Sequence, residues 1–383
     1  MAGSFMQQIK GFALMPFLLC YVFLTSGLIV NFLLLCNLIV KHFNFDLYRK
    51  INYYLVSNIW YQFTFVAQWW SGSDCILYID PDDRRHVGQE HSMYICNHIY
   101  EIDWLMAWIL AQRYDIAGNT KVYAKSILKY VPILGWAWYF SETIFLKRNL
   151  EQDKEIISKS INAVSTYPDG FWVTLLLFPE GTRRTPEKHK RSQEIAREKG
   201  YPILKHHLLP RTKGFALSVQ HMKGKIPAVY DCTVAFPPNE PEPTLMDVIK
   251  GRKILGHLRV KRYETDMLPD GEEELGDWLR QVYKEKDDAL DQFYRTGQFD
   301  LPAVRVPKNA KDLVSFIFWS LLTCIPLFYY LTVLFLAGTV YQQILFIAVV
   351  VIATFIVRWM IGFAEIKKSS SEYGQVQSQK KKE

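Results

Sequence analysis

Charge is missing from two long stretches of this chain, and the usual signatures of nucleotide, thiol and serine chemistry are missing throughout. There is no GxGxxG, no GxxxxGK[ST] loop and no internal repeat, which removes dinucleotide and nucleoside-triphosphate chemistry and solenoid architectures. Six cysteines occur without a CxxC pair or an accompanying histidine cluster, so neither a disulfide framework nor a zinc site is indicated. No Gly-x-Ser-x-Gly elbow offers a serine nucleophile. The lack of any Asn-x-Ser/Thr acceptor fits a bulk that does not face the lumen.

From Gly11 to Val40 the chain carries no charge, and thirty residues of helix are about 45 Å long, more than the roughly 30 Å of a bilayer's hydrocarbon core. A cleavable signal peptide would be about half as long and would end in a small-x-small site, so we read an anchor. Leu313 to Val357 is again free of charge, and its forty-five residues suffice for two spans that turn at Ala337-Gly338-Thr339-Val340-Tyr341-Gln342-Gln343. A third apolar stretch, Tyr54 to Trp70, is rich in aromatics but broken by Ser57, Asn58, Gln62 and Gln68. Its expected place is the membrane interface, with a full crossing as the alternative.

Basic residues flank the C-terminal hairpin on both sides, Arg305, Lys308 and Lys311 before it and Arg358, Lys367 and Lys368 after. Lys41, Arg49 and Lys50 follow the first helix, against Lys10 alone before it. These flanks predict three spans, a lumenal N-terminus and a cytoplasmic central region; a crossing at Tyr54 to Trp70 would invert the N-terminus. Four regions are expected: an anchor and interfacial segment over residues 1–72, a cytoplasmic domain over 73–312, a transmembrane hairpin over 313–362 and a basic disordered tail over 363–383. The closing Lys380-Lys381-Lys382-Glu383 resembles a dilysine signal for retrieval to the endoplasmic reticulum; the alternative is a plain solvated charge run.

Apolar, β-rich runs alternate with charged helical stretches in the central region. Strands are expected at Ser92–Cys96, Thr174–Phe178 and Ile226–Val234, and helices at Asp103–Gln112 and Gln152–Ala163. This alternation predicts an α/β domain with a largely buried sheet. Trp278, Leu279, Val282 and Tyr283 fit one side of an amphipathic helix within the acidic stretch Glu264 to Asp291. Between Arg183 and Lys213 ten Lys or Arg stand against three acidic residues, an excess of seven that equals the net charge of the whole chain. Anionic ligands or headgroups should gather there, whereas nucleic acid is not expected, since aromatic stacking residues are not interleaved with the charges.

Two motifs carry the chemistry. Asn97-His98-Ile99-Tyr100-Glu101-Ile102-Asp103 sets a histidine in a loop five residues ahead of an aspartate, and Phe178-Pro179-Glu180-Gly181-Thr182-Arg183 follows. With nine histidines, an aspartate at that spacing is about a one-in-three chance event, but a specified Glu-Gly-Thr-Arg arises at about one position in 10⁵. Transfer of an acyl group from a thioester to an alcohol needs a base for the hydroxyl proton and a site that holds both substrates in line. His98 suits the base, with Asp103 fixing its tautomer and stabilising the charged ring. Gly181 permits close approach, Arg183 offers a planar fork to a phosphate, and Glu180 is expected to orient an arginine or bind a glycerol hydroxyl. Phe145-Leu146-Lys147-Arg148 closes another apolar segment, and Arg148 would complete a phosphate clamp with Arg183.

In order, Asn97-His98-x4-Asp103, Phe145-x2-Arg148, Phe178 to Arg183 and Ile226-Pro227 resemble the four blocks of the glycerolipid acyltransferases. The whole chain more closely resembles the eukaryotic 1-acylglycerol-3-phosphate acyltransferases, and Leu204 to Phe215, Tyr230-Asp231-Cys232-Thr233 and Arg358-Trp359-Met360-Ile361-Gly362 resemble their gamma and delta branch. The resemblance implies an acyltransferase-like domain with a mixed sheet flanked by helices, and transfer of an acyl group from acyl-CoA to the sn-2 hydroxyl of lysophosphatidic acid. It implies His98 and Asp103 as the catalytic pair, and Asn97, Phe145, Arg148, Glu180, Gly181, Thr182, Arg183, Lys213 and Pro227 as substrate-binding positions. No metal and no cofactor is implied beyond acyl-CoA as co-substrate; the partners are these two substrates and membrane lipids. The implied location is the endoplasmic reticulum membrane, with the Golgi and nuclear envelope as further sites. Glu142 departs from the pattern, standing where the wider family usually has glycine. Two other readings remain open: another lysophospholipid acceptor, such as lysocardiolipin, or a lysophospholipid-binding protein that shapes membranes without catalysis.

Overall fold

The computed structural model describes residues 14–147 and 149–364. Twelve α-helices occur among the described residues: α1 (Leu14–Phe43), α2 (Phe45–Phe65), α3 (Pro81–Arg84), α4 (Asp103–Arg113), α5 (Leu134–Phe140), α6 (Leu150–Val164), α7 (Pro186–Lys199), α8 (Thr212–Met222), α9 (Leu245–Ile249), α10 (Glu272–Thr296), α11 (Lys311–Ala337) and α12 (Val340–Ala364). Eight strands, β1 (Asp74–Ile79), β2 (Ser92–Cys96), β3 (Thr120–Lys125), β4 (Ile144–Leu146), β5 (Thr174–Leu177), β6 (Ala228–Ala235), β7 (Leu255–Glu264) and β8 (Ala303–Val304), form one sheet in the order β4-β3-β5-β2-β6-β7-β1-β8. The first five in that order run parallel. β7 turns antiparallel to β6, β1 runs parallel to β7, and β8 closes the edge antiparallel. The sheet is therefore mixed, as expected.

Alternation along the central strands sorts residues between two helical layers. On β2, Met93 and Ile95 pack with Ile157 and Ile161 of α6, Phe215 and Val219 of α8, and Leu275 and Leu279 of α10. Cys96 faces the other way, into a core shared with Leu105 and Ile109 of α4 and Val56 and Trp60 of α2. All eight residues of β6 are buried, the pattern of a strand covered on both faces. One layer is thus α6, α8 and α10, and the other is α4 backed by the apolar helices.

Met15–Phe43, with 29 residues, and Lys311–Ala337, with 27, are long and apolar enough to cross a bilayer. α1 and α2 form an antiparallel hairpin in which Asn37 donates to the Tyr48 carbonyl at 2.9 Å and to the Asn52 side chain at 3.0 Å. α11 lies against both: Tyr21 donates to the Thr323 carbonyl, the Phe65 and Phe316 rings stack, and Ser315 and Trp319 share the Asn58 amide oxygen. The Tyr54 to Trp70 segment, expected to be interfacial, is the outgoing arm of this hairpin plus a π-helical turn at Val66–Ser71, and its Ser57, Gln62 and Gln68 are buried inward. α11 ends at Ala337 and α12 begins at Val340, within the expected turn. Lys10, the basic tail and the dilysine-like end lie outside the described residues.

Glu142 keeps the turn that a glycine would make. Its φ is 61°, in the left-handed region where glycine is free and other residues pay about 1–2 kcal/mol. Arg49 of α2 meets its carboxylate at 3.3 Å, Tyr167 donates to it at 2.7 Å, and Lys121 lies at 3.5 Å. Burial opposes the Glu142 charge, yet the two cations hold its carboxyl below the usual range; burial also drops Lys121 to about 8. This cluster fastens the membrane-side hairpin to the β3–β4 edge. Both Glu142→Ala and Glu142→Gly remove the counter-charge of Arg49 and Lys121, but the Ala variant keeps the backbone strain and the Gly variant relieves it. In chemical unfolding the Ala variant should therefore be the less stable by about 1 kcal/mol. Equal stabilities, or the reverse order, would show that the turn costs nothing.

Candidate active site

Beyond Cys96 the sheet continues through a side chain. The Asn97 amide donates to the Val234 carbonyl at 3.0 Å and accepts the Val234 N–H at 2.8 Å, extending the β2–β6 ladder by one step. Asn97 is fully buried in this role, so it shapes the loop and does not present itself to a substrate, contrary to its expected assignment. The chain then curls through residues 98–102 and enters α4 at Asp103, where a carboxylate suits the positive end of the helix. One oxygen of Asp103 accepts the N–H groups of Ile99 at 2.7 Å and Tyr100 at 2.8 Å and faces His98 Nδ1 at 3.3 Å. Burial raises the Asp103 carboxyl above its ordinary range, against the pull of His98 and the two amides. The His98 side chain is 20% exposed and packs on the Phe178 ring at 4.8 Å; its second ring nitrogen has no partner among the described residues.

β5 delivers the second motif to the same end of the sheet. Gly181 donates to the Phe178 carbonyl at 2.9 Å with φ 71°, and a Cβ there would sit 3.0 Å from Arg211 Nε, so both the backbone and the packing favour glycine. Glu180 turns inward. Its two oxygens accept the N–H of His98 at 3.0 Å and of Leu208 at 3.3 Å, and Arg184 N–H donates to the His98 carbonyl at 2.8 Å. The His98 peptide is thus gripped from both sides, by Glu180 of the second motif and by Arg184 just after it. Glu180 neither orients an arginine nor reaches a ligand, because it is wholly buried; burial pushes its carboxyl up to about 8 against the two amides. Thr182 accepts from Lys188 at 2.8 Å. Arg183 is half-buried, and no acidic side chain pairs with it among the described residues.

With that geometry in hand, the comparisons with known proteins are direct. The Acyltransferase family profile matches residues 79–236 and the Acyltransferase C-terminus profile matches residues 247–319. The chain is 42% identical to 1-acyl-sn-glycerol-3-phosphate acyltransferase delta of Rattus norvegicus over 94% of its length and 95% of that protein's. It is 38% identical to the gamma enzyme of Homo sapiens over the same shares. The chain belongs to the 1-acyl-sn-glycerol-3-phosphate acyltransferase family. A remote likeness, with TM-score 0.43 and 15% identity over 75% of this chain and 97% of the other, links it to the crystal structure of the LPA acyltransferase PlsC from Thermotoga maritima.

As a member of this family carrying two bilayer-length helices, the chain is membrane-associated. Other expected site residues scatter. Phe145 sits half-buried on the edge strand β4, and Arg148 lies outside the described residues. Lys213 is exposed in the first turn of α8. Pro227 precedes β6, whose Ala228 pairs with Ser92 at the start of β2, while His98 follows the end of β2. About seven residues of strand, roughly 23 Å, separate the two levels, so Pro227 lies away from the His98–Asp103 pair.

A second His–Asp pair escaped the motif reading. His207 Nδ1 meets Asp287 at 2.9 Å, and Asp287 also accepts the N–H groups of Lys205, His206 and His207. Burial drops His207 to about 4, while its N–H and the amides hold Asp287 near about 2 despite burial. His207 has no exposed surface, so this pair clasps α10 to the segment Lys205–His207 and presents nothing to a substrate. Two further features were not signalled: Arg184 bonds the His98 carbonyl through its N–H, and Tyr100 and Tyr294 join hydroxyls at 3.0 Å across 194 positions of sequence, a pairing no local pattern could signal.

Proposed function

We propose that the protein transfers a fatty acyl group from acyl-CoA to the sn-2 hydroxyl of lysophosphatidic acid, giving phosphatidic acid and free CoA. The observation that carries this reading is the His98–Asp103 pair, with one ring nitrogen held at 3.3 Å and the other unpartnered on a part-exposed ring. The free nitrogen takes the hydroxyl proton as the acceptor oxygen attacks the thioester carbonyl. Asp103, fixed by the Ile99 and Tyr100 amides, stabilises the imidazolium. Collapse breaks the C–S bond, and the proton passes from His98 to the departing CoA thiolate. Direct transfer needs no acyl-enzyme, and no cofactor beyond the acyl-CoA co-substrate is called for. Arg183, half-buried and without an acidic partner, binds the acceptor phosphate. Both substrates carry long chains, which suits a site anchored by α1 and α11 at the endoplasmic reticulum with its catalytic domain on the cytoplasmic side.

Arg183→Ala should raise the KM for lysophosphatidic acid by about tenfold to a hundredfold and change that for oleoyl-CoA much less. Steady-state kinetics in detergent decide this, and an unchanged acceptor KM would refute the phosphate assignment.

A further inference from the structure

Arg184, directly after the second motif, is an unexplained cation. Its N–H is bonded to the His98 carbonyl, which fixes it beside the base. The Tyr100 and Tyr294 hydroxyls, 3.0 Å apart, and the ring of His189 all feel the positive charge of Arg184. The side chain is half-buried, its Nε is buried without a hydrogen-bond partner, and no carboxylate lies within ion-pair distance of it among the described residues. A buried donor left open costs free energy, and a part-buried cation without a counter-charge costs more. Such a group suits an anion that arrives with a ligand.

Distance selects which anion. In lysophosphatidic acid the phosphate is joined to the neighbouring carbon of the one bearing the attacking hydroxyl, so when that hydroxyl touches His98 the phosphate lies only a few bonds away. The phosphates of CoA stand a whole pantetheine arm from the thioester; the cations further along α7, which is 14 residues or about 21 Å long, suit them better. Tyr100 and Tyr294 use one hydroxyl hydrogen between them, which leaves the other to donate.

We propose that Arg184, with the Tyr100–Tyr294 hydroxyl pair, is a second ligand of the acceptor phosphate and selects a dianionic phosphate monoester over a singly charged phosphodiester headgroup. This rests on the acyltransferase reading above. Arg183 alone matches one negative charge; a phosphate monoester, whose second ionisation falls near pH 6, brings up to two, and Arg184 meets the second. A lysophosphodiester has no second charge to offer and gains little from it.

The test compares kcat/KM for lysophosphatidic acid and for lysophosphatidylglycerol of the same acyl chain, in wild type, R184Q and R184K. R184Q is expected to cut the lysophosphatidic acid value by about tenfold or more and the lysophosphatidylglycerol value by about threefold or less, with R184K between. In wild type the KM for lysophosphatidic acid should fall as pH rises through about 6, and R184Q should flatten that profile. R184Q should melt no lower than wild type, because it removes an unpaired part-buried cation. Equal losses for the two acceptors, or an unchanged preference and pH profile, would overturn the proposal. A wild-type protein that releases no CoA with lysophosphatidic acid would instead overturn the functional reading on which it rests.

Discussion

His98→Ala is expected to lower kcat for acyl transfer by at least about 10³-fold while the protein stays folded and still binds lysophosphatidic acid. The imidazole is part-exposed, with its side chain 20% open, and among the described residues it meets only the Asp103 carboxylate and the Phe178 ring. Its backbone bonds to Glu180 and Arg184 do not depend on the side chain, so the loop should hold its course. Loss of turnover with retained acceptor affinity in equilibrium binding would place His98 in the chemical step. Retained turnover would remove it from the mechanism.

Asp103→Asn separates charge from shape. An asparagine oxygen can still accept from Ile99 and Tyr100, so the loop can survive, but the negative charge opposite the imidazolium is gone and the imidazole is no longer held in the tautomer that leaves its outer nitrogen free. A loss of about 10³- to 10⁴-fold in kcat is expected, as for other His–Asp pairs. Stability should move the other way. Asp103 is fully buried and its carboxyl is raised by that burial, with one oxygen lacking any hydrogen-bond partner, so replacing it by a neutral amide should leave the melting temperature unchanged or higher. A drop of less than about tenfold would reduce Asp103 to a tether for the loop.

Local pattern revealed the elements with one clear face. Ser92–Cys96 is a strand with the bounds read from sequence, β5 and β6 begin or end within two residues of theirs, and the acidic amphipathic stretch is α10. β7 was not legible, because Leu-Gly-His-Leu-Arg-Val-Lys-Arg-Tyr-Glu reads as a charged loop. It is a central strand because Arg259 is neutralised by Asp300 at 2.7 Å and Arg262 by Glu90 at 2.8 Å, partners that only the tertiary fold supplies. β3 hides in the same way behind the buried Lys121. Within the site, the meeting of His98 with Asp103 and the nearness of the Glu180–Arg183 loop were legible, since each belongs to a contiguous motif. Glu180 was misread because a conspicuous carboxylate in a loop suggests a ligand, whereas here it satisfies two buried amides. That Pro227 lies at the far end of the strand pair from His98 was not legible, because a motif on a strand does not say which end of the sheet it occupies.

The most direct test is release of free CoA from oleoyl-CoA by the purified, detergent-solubilised full chain, with lysophosphatidic acid compared against other lysophospholipids and His98→Ala as control. CoA release that depends on His98 and is fastest with lysophosphatidic acid is the predicted result. A different preferred acceptor would keep the mechanism and move the pathway, and no His98-dependent release with any acceptor would contradict the enzyme reading and favour a lysophospholipid-binding role.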